Sequence, residues 1–269
     1  DCLVENLAKK NIKNAQELSK SRNMLQKVGD SLRKYTCVDT NLNTTGTLLW
    51  QSKWEGKETK ALLDDKDAKI ILIDDYISRD ECDALIDSAV SKLHAATVNG
   101  PTGNDLVYER RAKNSGVPPK LHLKEGEDII TDLYRRTFRF MNFHTGYDLS
   151  LEGQENFTVI KYEKGDEYMP HCDGDCTGSV LKNGGRVATM VMYCRMPEAG
   201  GGTSFSSVNT IINAKEGQAA FFSYYDKDEN RMDYGKTRHS GCPVLAGTKW
   251  IATLWMRKGV TANDKFINF

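Results

Sequence analysis

The sequence predicts a mainly β fold with buttressing helices, an α+β architecture in which helices back an antiparallel sandwich or barrel. Three observations predict it. Two amphipathic segments, Ser78 to about His94 and Glu125 to Thr145, come first in the chain. From Asn156 onward, short apolar and β-branched runs alternate with Gly-rich turns. His171, Asp173 and His239 are so spaced that only a returning sheet would bring them together. Helical runs followed by many short strands imply sheets packed on each other with helices at one side.

The totals narrow the field. A chain of 269 residues can build one large domain, or a domain with an appendage. Lys+Arg and Asp+Glu each number 37, so the formal charge is zero and nothing global attracts nucleic acid. Any pull on an anion must come from a local cluster. No run reaches the roughly 18 apolar residues of a membrane span. The first residue is Asp, which reads as a processed or trimmed chain, so a missing leader says nothing of destination. Seven cysteines and two sequons, Asn43-Thr44-Thr45 and Asn156-Phe157-Thr158, point to the secretory route, a disulfide-bearing glycoprotein of the endoplasmic reticulum lumen or outside the cell. The cysteine count is odd, so one is free or pairs outside the chain. No CxxC pair suggests a zinc ribbon.

In order, residues 1–37 read as a helical segment. Val4, Leu18, Leu25 and Leu32 share one heptad position, and Leu7, Val28 and Tyr35 fall three residues after it. Asn11, Asn14 and Ser21 break the seam, which leaves packing on the main domain or dimerisation. Cys2 and Cys37 bracket the segment and could bridge only if it folds back. Residues 38–68, polar and then charged, read as a linker in which Trp50 and Trp54 pack on something apolar. The main domain spans 69–269. Lys69 to Tyr76 is a strand, and Ser78-Arg79-Asp80-Glu81 is a capping box opening a helix with Leu85, Ile86 and Val90 buried. Residues 95–120, rich in Gly and Pro, form a long loop with a short strand near Leu106 to Arg111. The second helix, from Glu125, carries Ile129, Ile130, Leu133, Phe138 and Phe140. Phe157–Tyr162, Val187–Tyr193, Thr203–Phe205, Gln218–Tyr224 and Trp250–Met256 are the clearest strands. Gly200-Gly201-Gly202 and Lys182-Asn183-Gly184-Gly185 are turns; no phosphate-loop pattern accompanies them.

His171 and Asp173, two apart on an extended strand, leave the same face and can grip one ion. With His239 they make two imidazoles and one carboxylate with the opposite positions open, the donor set of non-haem Fe(II) oxygenases. Lys249 supplies a fixed cation for the far carboxylate of an oxo-acid. By itself His-x-Asp is common on surfaces, and the surrounding string decides.

That string runs from Tyr162 and Gly165 through Tyr168, Pro170, His171 and Asp173 to Arg186-Val187-Ala188-Thr189 and Tyr193. It continues through Gly200, Gly201, Thr203 and Phe205, then Arg238-His239 and Cys242-Pro243-Val244-Leu245-Ala246-Gly247-Thr248-Lys249-Trp250, to Trp255. It resembles the prolyl 4-hydroxylase family of Fe(II)- and 2-oxoglutarate-dependent dioxygenases, closely over 157–258 and loosely over 69–156. The resemblance implies a double-stranded β-helix (jelly-roll) core. It implies that His171, Asp173 and His239 bind Fe(II), that Lys249 pairs with 2-oxoglutarate, and that Tyr162 and Thr203 hydrogen-bond it. Tyr168, Arg186 and Trp255 match positions lining a peptide-proline pocket. The implied cofactors are Fe(II), 2-oxoglutarate, O2 and ascorbate, and the implied substrate a proline-rich or collagen-like peptide hydroxylated with release of succinate and CO2. A homodimer or a disulfide-isomerase partner stays open. So do two other readings: a same-fold oxygenase acting on lysine or a small molecule, and a non-catalytic binding module for Pro-rich peptides. Arg257 stands where collagen-type members carry His. Cys242 matches a position often bonded to a later cysteine that this chain lacks, with Cys194 as an alternative partner, and a short Cys172–Cys176 bridge is conceivable.

Overall fold

The computed structural model describes residues 37, 44–96, 98–100, 103–105 and 110–264. The helical reading of 1–36, Cys2 and the Asn43 sequon lie outside them. Thirteen strands carry the architecture: β1 (Trp50–Trp54), β2 (Lys57–Asp64), β3 (Lys69–Ile73), β4 (His94–Ala95), β5 (Lys113–Val117), β6 (Phe157–Tyr162), β7 (Tyr168–His171), β8 (Arg186–Arg195), β9 (Thr203–Phe205), β10 (Thr210–Ile212), β11 (Ala219–Ser223), β12 (His239–Gly241) and β13 (Lys249–Arg257). Nine form one sheet in the order β1-β2-β3-β11-β8-β13-β6-β5-β4, and four form a second, β10-β9-β12-β7. Neighbours in both sheets pair antiparallel. Three small ladders, 98–100 with 103–105, 199–200 with 244–246 and 225–226 with 231–232, trim the loops. This is the jelly-roll arrangement expected from the strand-rich half.

Helix α1 (Arg79–Val90) starts at Ser78, whose hydroxyl accepts from Glu81 N–H while the Glu81 carboxylate takes Ser78 N–H. Its buried face is Glu81, Cys82, Leu85 and Ala89. Val90, expected inside, is exposed, because the i, i+3, i+4 stripe runs through Cys82, Leu85 and Ala89 and leaves Val90 on the solvent side. Helix α2 (Ile129–Thr145) begins four residues later than expected, at the Asp128 cap, and ends on Gly146 at φ 63°. Ile129 in its first turn is exposed, while Leu133, Phe138 and Phe140 are buried.

Alternation along the strands separates two layers. Phe221 of β11 meets Phe140 of α2 at 5.4 Å, whereas Phe222 next to it meets Phe205 of β9 at 5.2 Å. Helices therefore cover one face of the large sheet and the small sheet covers the other. Phe140 is fully buried against Trp54, Tyr76 and Phe221. Phe140→Ala is expected to cost about 3–5 kcal/mol of stability, read from the guanidinium midpoint at unchanged slope.

Two expectations are corrected here. Residues 50–64 are not linker but the β1–β2 hairpin, in register from Trp50↔Ala61 to Trp54↔Lys57, extending the large sheet beyond β3. Edge position explains the misleading charge: outward residues of β1 are solvated, while Trp54 and Ala61 are buried. Of the strand expected near Leu106 to Arg111, residues 106–109 lie outside the described residues; a strand is found at Lys113–Val117, where Val117 pairs with Phe157. Arg110 contributes only an isolated bridge to Tyr168.

Three disulfides pin the layers: Cys37–Cys242, Cys82–Cys194 and Cys172–Cys176. The short Cys172–Cys176 bridge forms. Cys242 bonds neither to a later cysteine nor to Cys194, and Cys37 does not pair with Cys2. Proximity across the fold decides: Cys82 on α1 abuts the end of β8, and Cys37 lies beside β12. Among the described residues no helix is long and apolar enough to cross a membrane.

Candidate active site

The cleft lies between the two sheets, and strand register places its walls. Lys249 pairs with Tyr162, Ile251 with Ile160 and Tyr193, Thr253 with Val191, and Trp255 with Thr189. Alternate residues of β13, β6 and β8 thus face the small sheet. Together with Tyr168, His171 and Asp173 from β7 and its loop, and Thr203 and His239 from β9 and β12, they enclose about 430 Å³, mouth included.

His171 and His239 are cross-strand partners on β7 and β12. Asp173 Oδ1 lies 3.5 Å from His171 Nε2, and its Oδ2 lies 3.8 Å from His239 Nε2. One donor atom from each of the three falls within 4.8 Å of the others. His171 Nδ1 contacts Met169 O at 2.8 Å and His239 Nδ1 contacts Thr237 O at 3.0 Å. A carbonyl only accepts, so both Nδ1 atoms carry the proton and both Nε2 lone pairs face Asp173. Burial, and then His171, hold the His239 imidazole down to about 4, neutral at physiological pH. Burial opposes charge on Asp173, but any charge that His239 and His171 carry outweighs it and holds the carboxyl well below its usual range, so Asp173 stays a carboxylate. Thr189 Oγ1 donates to Asp173 Oδ2 at 2.7 Å and meets Tyr224 Oη at 3.1 Å. Two imidazole nitrogens and one carboxylate, all with orientation fixed from behind, fit a divalent first-row metal such as Fe(II).

Lys249 is the other chemical centre. Its side chain is buried, and Nζ donates to Gly201 O at 2.6 Å. Among the described residues no carboxylate lies within ion-pair reach, and burial alone pulls the ammonium down to about 8. A cation left in that state costs on the order of 3 kcal/mol, so the pocket favours an anionic guest. Gly201 sits at φ 73°, where a Cβ would meet the Lys249 stem at 3.2 Å and Pro197 at 2.8 Å; only glycine lets the chain pass. Tyr162, pushed up to about 12 by burial, stays a neutral phenol beside Lys249. Thr203 Oγ1 meets Tyr193 Oη at 2.9 Å.

Of the expected site residues, eight converge on the cleft: His171, Asp173, His239, Lys249, Tyr162, Thr203, Tyr168 and Trp255. The Tyr168 ring stacks on His171 with centroids 3.5 Å apart. Arg186 does not line the cleft. It reaches beneath it, bonded by Nε at 2.5 Å and Nη2 at 2.7 Å to the fully buried Glu155, with its guanidinium 4.1 Å over the Trp255 ring. Arg257, in place of the His of the resembling family, also bonds Glu155, at 2.6 Å, and Gly184 O. Sequence reasoning missed Arg110, whose guanidinium lies 4.8 Å over Tyr168, and the supporting pair Thr189 and Glu155. It also missed Ile251 and Thr253, although the even spacing from Lys249 to Trp255 puts both on the same face.

A jelly roll whose inner face offers two imidazoles, a carboxylate and a buried ammonium can hold a divalent metal beside an anionic guest. Residues 157–257 match the family model described as the 2OG-Fe(II) oxygenase superfamily. Over 71% of its length the chain is 32% identical to human prolyl 4-hydroxylase subunit alpha-1, and over 70% it is 29% identical to prolyl 4-hydroxylase subunit alpha-1 of Caenorhabditis elegans. The aligned parts are 34% and 33% of those proteins, so the chain spans about a third of the curated relatives it matches. Among solved structures it is similar to the viral collagen prolyl hydroxylase of Paramecium Bursaria Chlorella virus-1 in its 2OG complex, with TM-score 0.56 and 29% identity over 70% of this chain and 96% of that one.

Proposed function

We propose that this chain hydroxylates C4 of prolyl residues in an extended Pro-rich, collagen-like peptide, using Fe(II), O2 and 2-oxoglutarate and releasing succinate and CO2. The observation that carries the reading is the buried Lys249 ammonium, without a carboxylate partner among the described residues, in the same cleft as a three-donor metal cradle. Fe(II), when bound, would let O2 act as the oxidant, with two electrons taken from 2-oxoglutarate as it becomes succinate and CO2 and two from the hydroxylated C–H bond. The residues then divide the work. His171, Asp173 and His239 hold the metal. Lys249 pairs with the distal carboxylate, and Tyr162 and Thr203 hydrogen-bond it. Buried Ile160, Val191 and Ile251 exclude water from that end. Tyr168 and Trp255 wall the proline subsite, with Arg186 and Glu155 bracing Trp255 from behind. The Trp255 indole N–H is buried without an acceptor among the described residues, so a peptide carbonyl at that point relieves about 1–3 kcal/mol. A polyproline II chain presents such carbonyls with little ordering cost.

The same proposal places the enzyme in the endoplasmic reticulum lumen or outside the cell, where its three disulfides are stable and ascorbate serves as reductant. A glycan is expected at Asn43 rather than Asn156, whose neighbours Glu155 and Phe157 are fully buried. Pairing through residues 1–37, or with a disulfide-isomerase subunit, is read by light scattering of the chain alone and with the isomerase. The deciding experiment compares succinate release with Pro-Pro-Gly repeats, non-collagen proline peptides and lysine peptides. Stimulation by the repeats, with one oxygen gained on proline, is expected. Equal stimulation by lysine peptides, or none by any peptide, would overturn the substrate assignment.

A further inference from the structure

Asp233 lies outside the cleft, yet it is fully buried and bonded within its own turn, chiefly to Thr237. Its Oδ2 accepts from Thr237 N at 2.8 Å and from Thr237 Oγ1 at 2.9 Å. Thr237 in turn offers its carbonyl to His239 Nδ1 at 3.0 Å. The backbone of Asp233 is fastened on both sides: its N–H donates to Tyr224 O, and its carbonyl accepts from Gly178 N–H. Tyr224 follows β11 and its phenol meets Thr189, the donor to Asp173. Lys236, in the same turn, is held by Asp65 and Asp67 at 2.7 Å each. Asp233 is thus the fixed point from which the 233–239 turn hangs.

We infer that Asp233 is a positioning residue for the metal centre: by clamping Thr237 through two hydrogen bonds it holds the carbonyl that fixes the His239 tautomer and ring orientation. The inference rests on the reading of His171, Asp173 and His239 as a metal cradle. A buried carboxylate with one oxygen, Oδ1, lacking a partner among the described residues is costly, and burial lifts its pKa above the usual range. Such a cost is offset here by the rigidity of the turn. If the clamp is lost, the Thr237 carbonyl is free to rotate and His239 can present the wrong nitrogen. Partners that orient a ligating imidazole from behind set metal affinity by 10–100-fold.

The test titrates metal-free protein with Co(II) alone and follows its visible absorption. Asp233→Ala is expected to weaken Co(II) binding by roughly 10–100-fold and to alter the band shape, with far-UV circular dichroism unchanged. Asp233→Asn keeps an oxygen acceptor for Thr237 and is expected to restore binding to within a few fold of the starting protein. Should the Ala protein not fold, Thr237→Val removes one of the two clamping bonds and is expected to weaken binding by several fold. Unchanged Co(II) affinity and spectrum in whichever of these folds would overturn the inference. His239→Ala is the control. If the unaltered protein binds Co(II) no better than His239→Ala, the metal reading itself is lost and the inference with it; if only the Asp233 series is flat, the metal reading stands and the inference falls.

Discussion

His239→Ala is expected to abolish 2-oxoglutarate-dependent succinate release, a loss of at least roughly 10³-fold, because the oxidation has no route without the bound metal. His239 is buried, neutral, and the only one of the three donors carried by β12. Without it, His171 and Asp173 hold the ion from one strand and its loop, while the neighbouring strand β12 offers no donor in its place. The substitution leaves the core intact, since His239 packs on Phe205 and Phe222, which remain buried. Folding and peptide binding should therefore persist as chemistry disappears. The measurement is succinate formed per mole of protein at saturating Fe(II), beside a thermal melt. Turnover within tenfold of the unaltered chain would defeat the assignment of the centre.

Lys249→Ala is expected to raise the KM for 2-oxoglutarate by roughly 10²–10³-fold, the cost of leaving a buried carboxylate without its cation. The pH dependence carries a sign that distinguishes this role. In the free protein burial holds the ammonium at about 8. A bound carboxylate favours the charged form and raises that value, so binding above pH 8 must take up a proton. Affinity for 2-oxoglutarate should be flat below pH 8 and fall about tenfold per pH unit above it, until the pKa of the complex is reached. Lys249→Arg keeps its charge throughout the range and should erase the break near pH 8 while binding less tightly, because a planar fork does not fit the space beside the Gly201 carbonyl that the compact ammonium fills. KM measured from pH 6.5 to 9.5 for the three proteins decides it; a break that survives in Lys249→Arg would assign the titration elsewhere.

The site was more legible in the sequence than the periphery was, for physical reasons. Metal ligands must be His or Asp at strand spacing, and the Lys249-to-Trp255 run keeps period two, so eight residues could be placed in one cleft from spacing and resemblance together. Arg186 was placed in the cleft wall because its strand position is right; its long side chain instead turns to Glu155, a buried acid that reads in sequence as one more loop charge. The β1–β2 hairpin was taken for linker because an edge strand is solvated along one side and so looks like a charged tether. The short Cys172–Cys176 bridge was open to view, but the long-range pairs were beyond reach: Cys82 and Cys194 are far apart in the chain, and only packing of α1 against the end of β8 brings them together. Val90 was misplaced for a local reason, since at a helix end one residue more or less swings the apolar stripe by about 100°.

Strand β13 sets the terms on which such a protein can diversify. Lys249, Ile251, Thr253 and Trp255 look into the cleft, while Ala252, Leu254 and Met256 between them are sealed inside the fold. Inserting or deleting a single codon within the strand would exchange the two sets at once, putting the ammonium into hydrocarbon and the hydrocarbon into the reaction chamber. Heritable change here must therefore proceed by point replacement at every second position, or by lengthening the loops at either end, where neither ledger of side chains is disturbed.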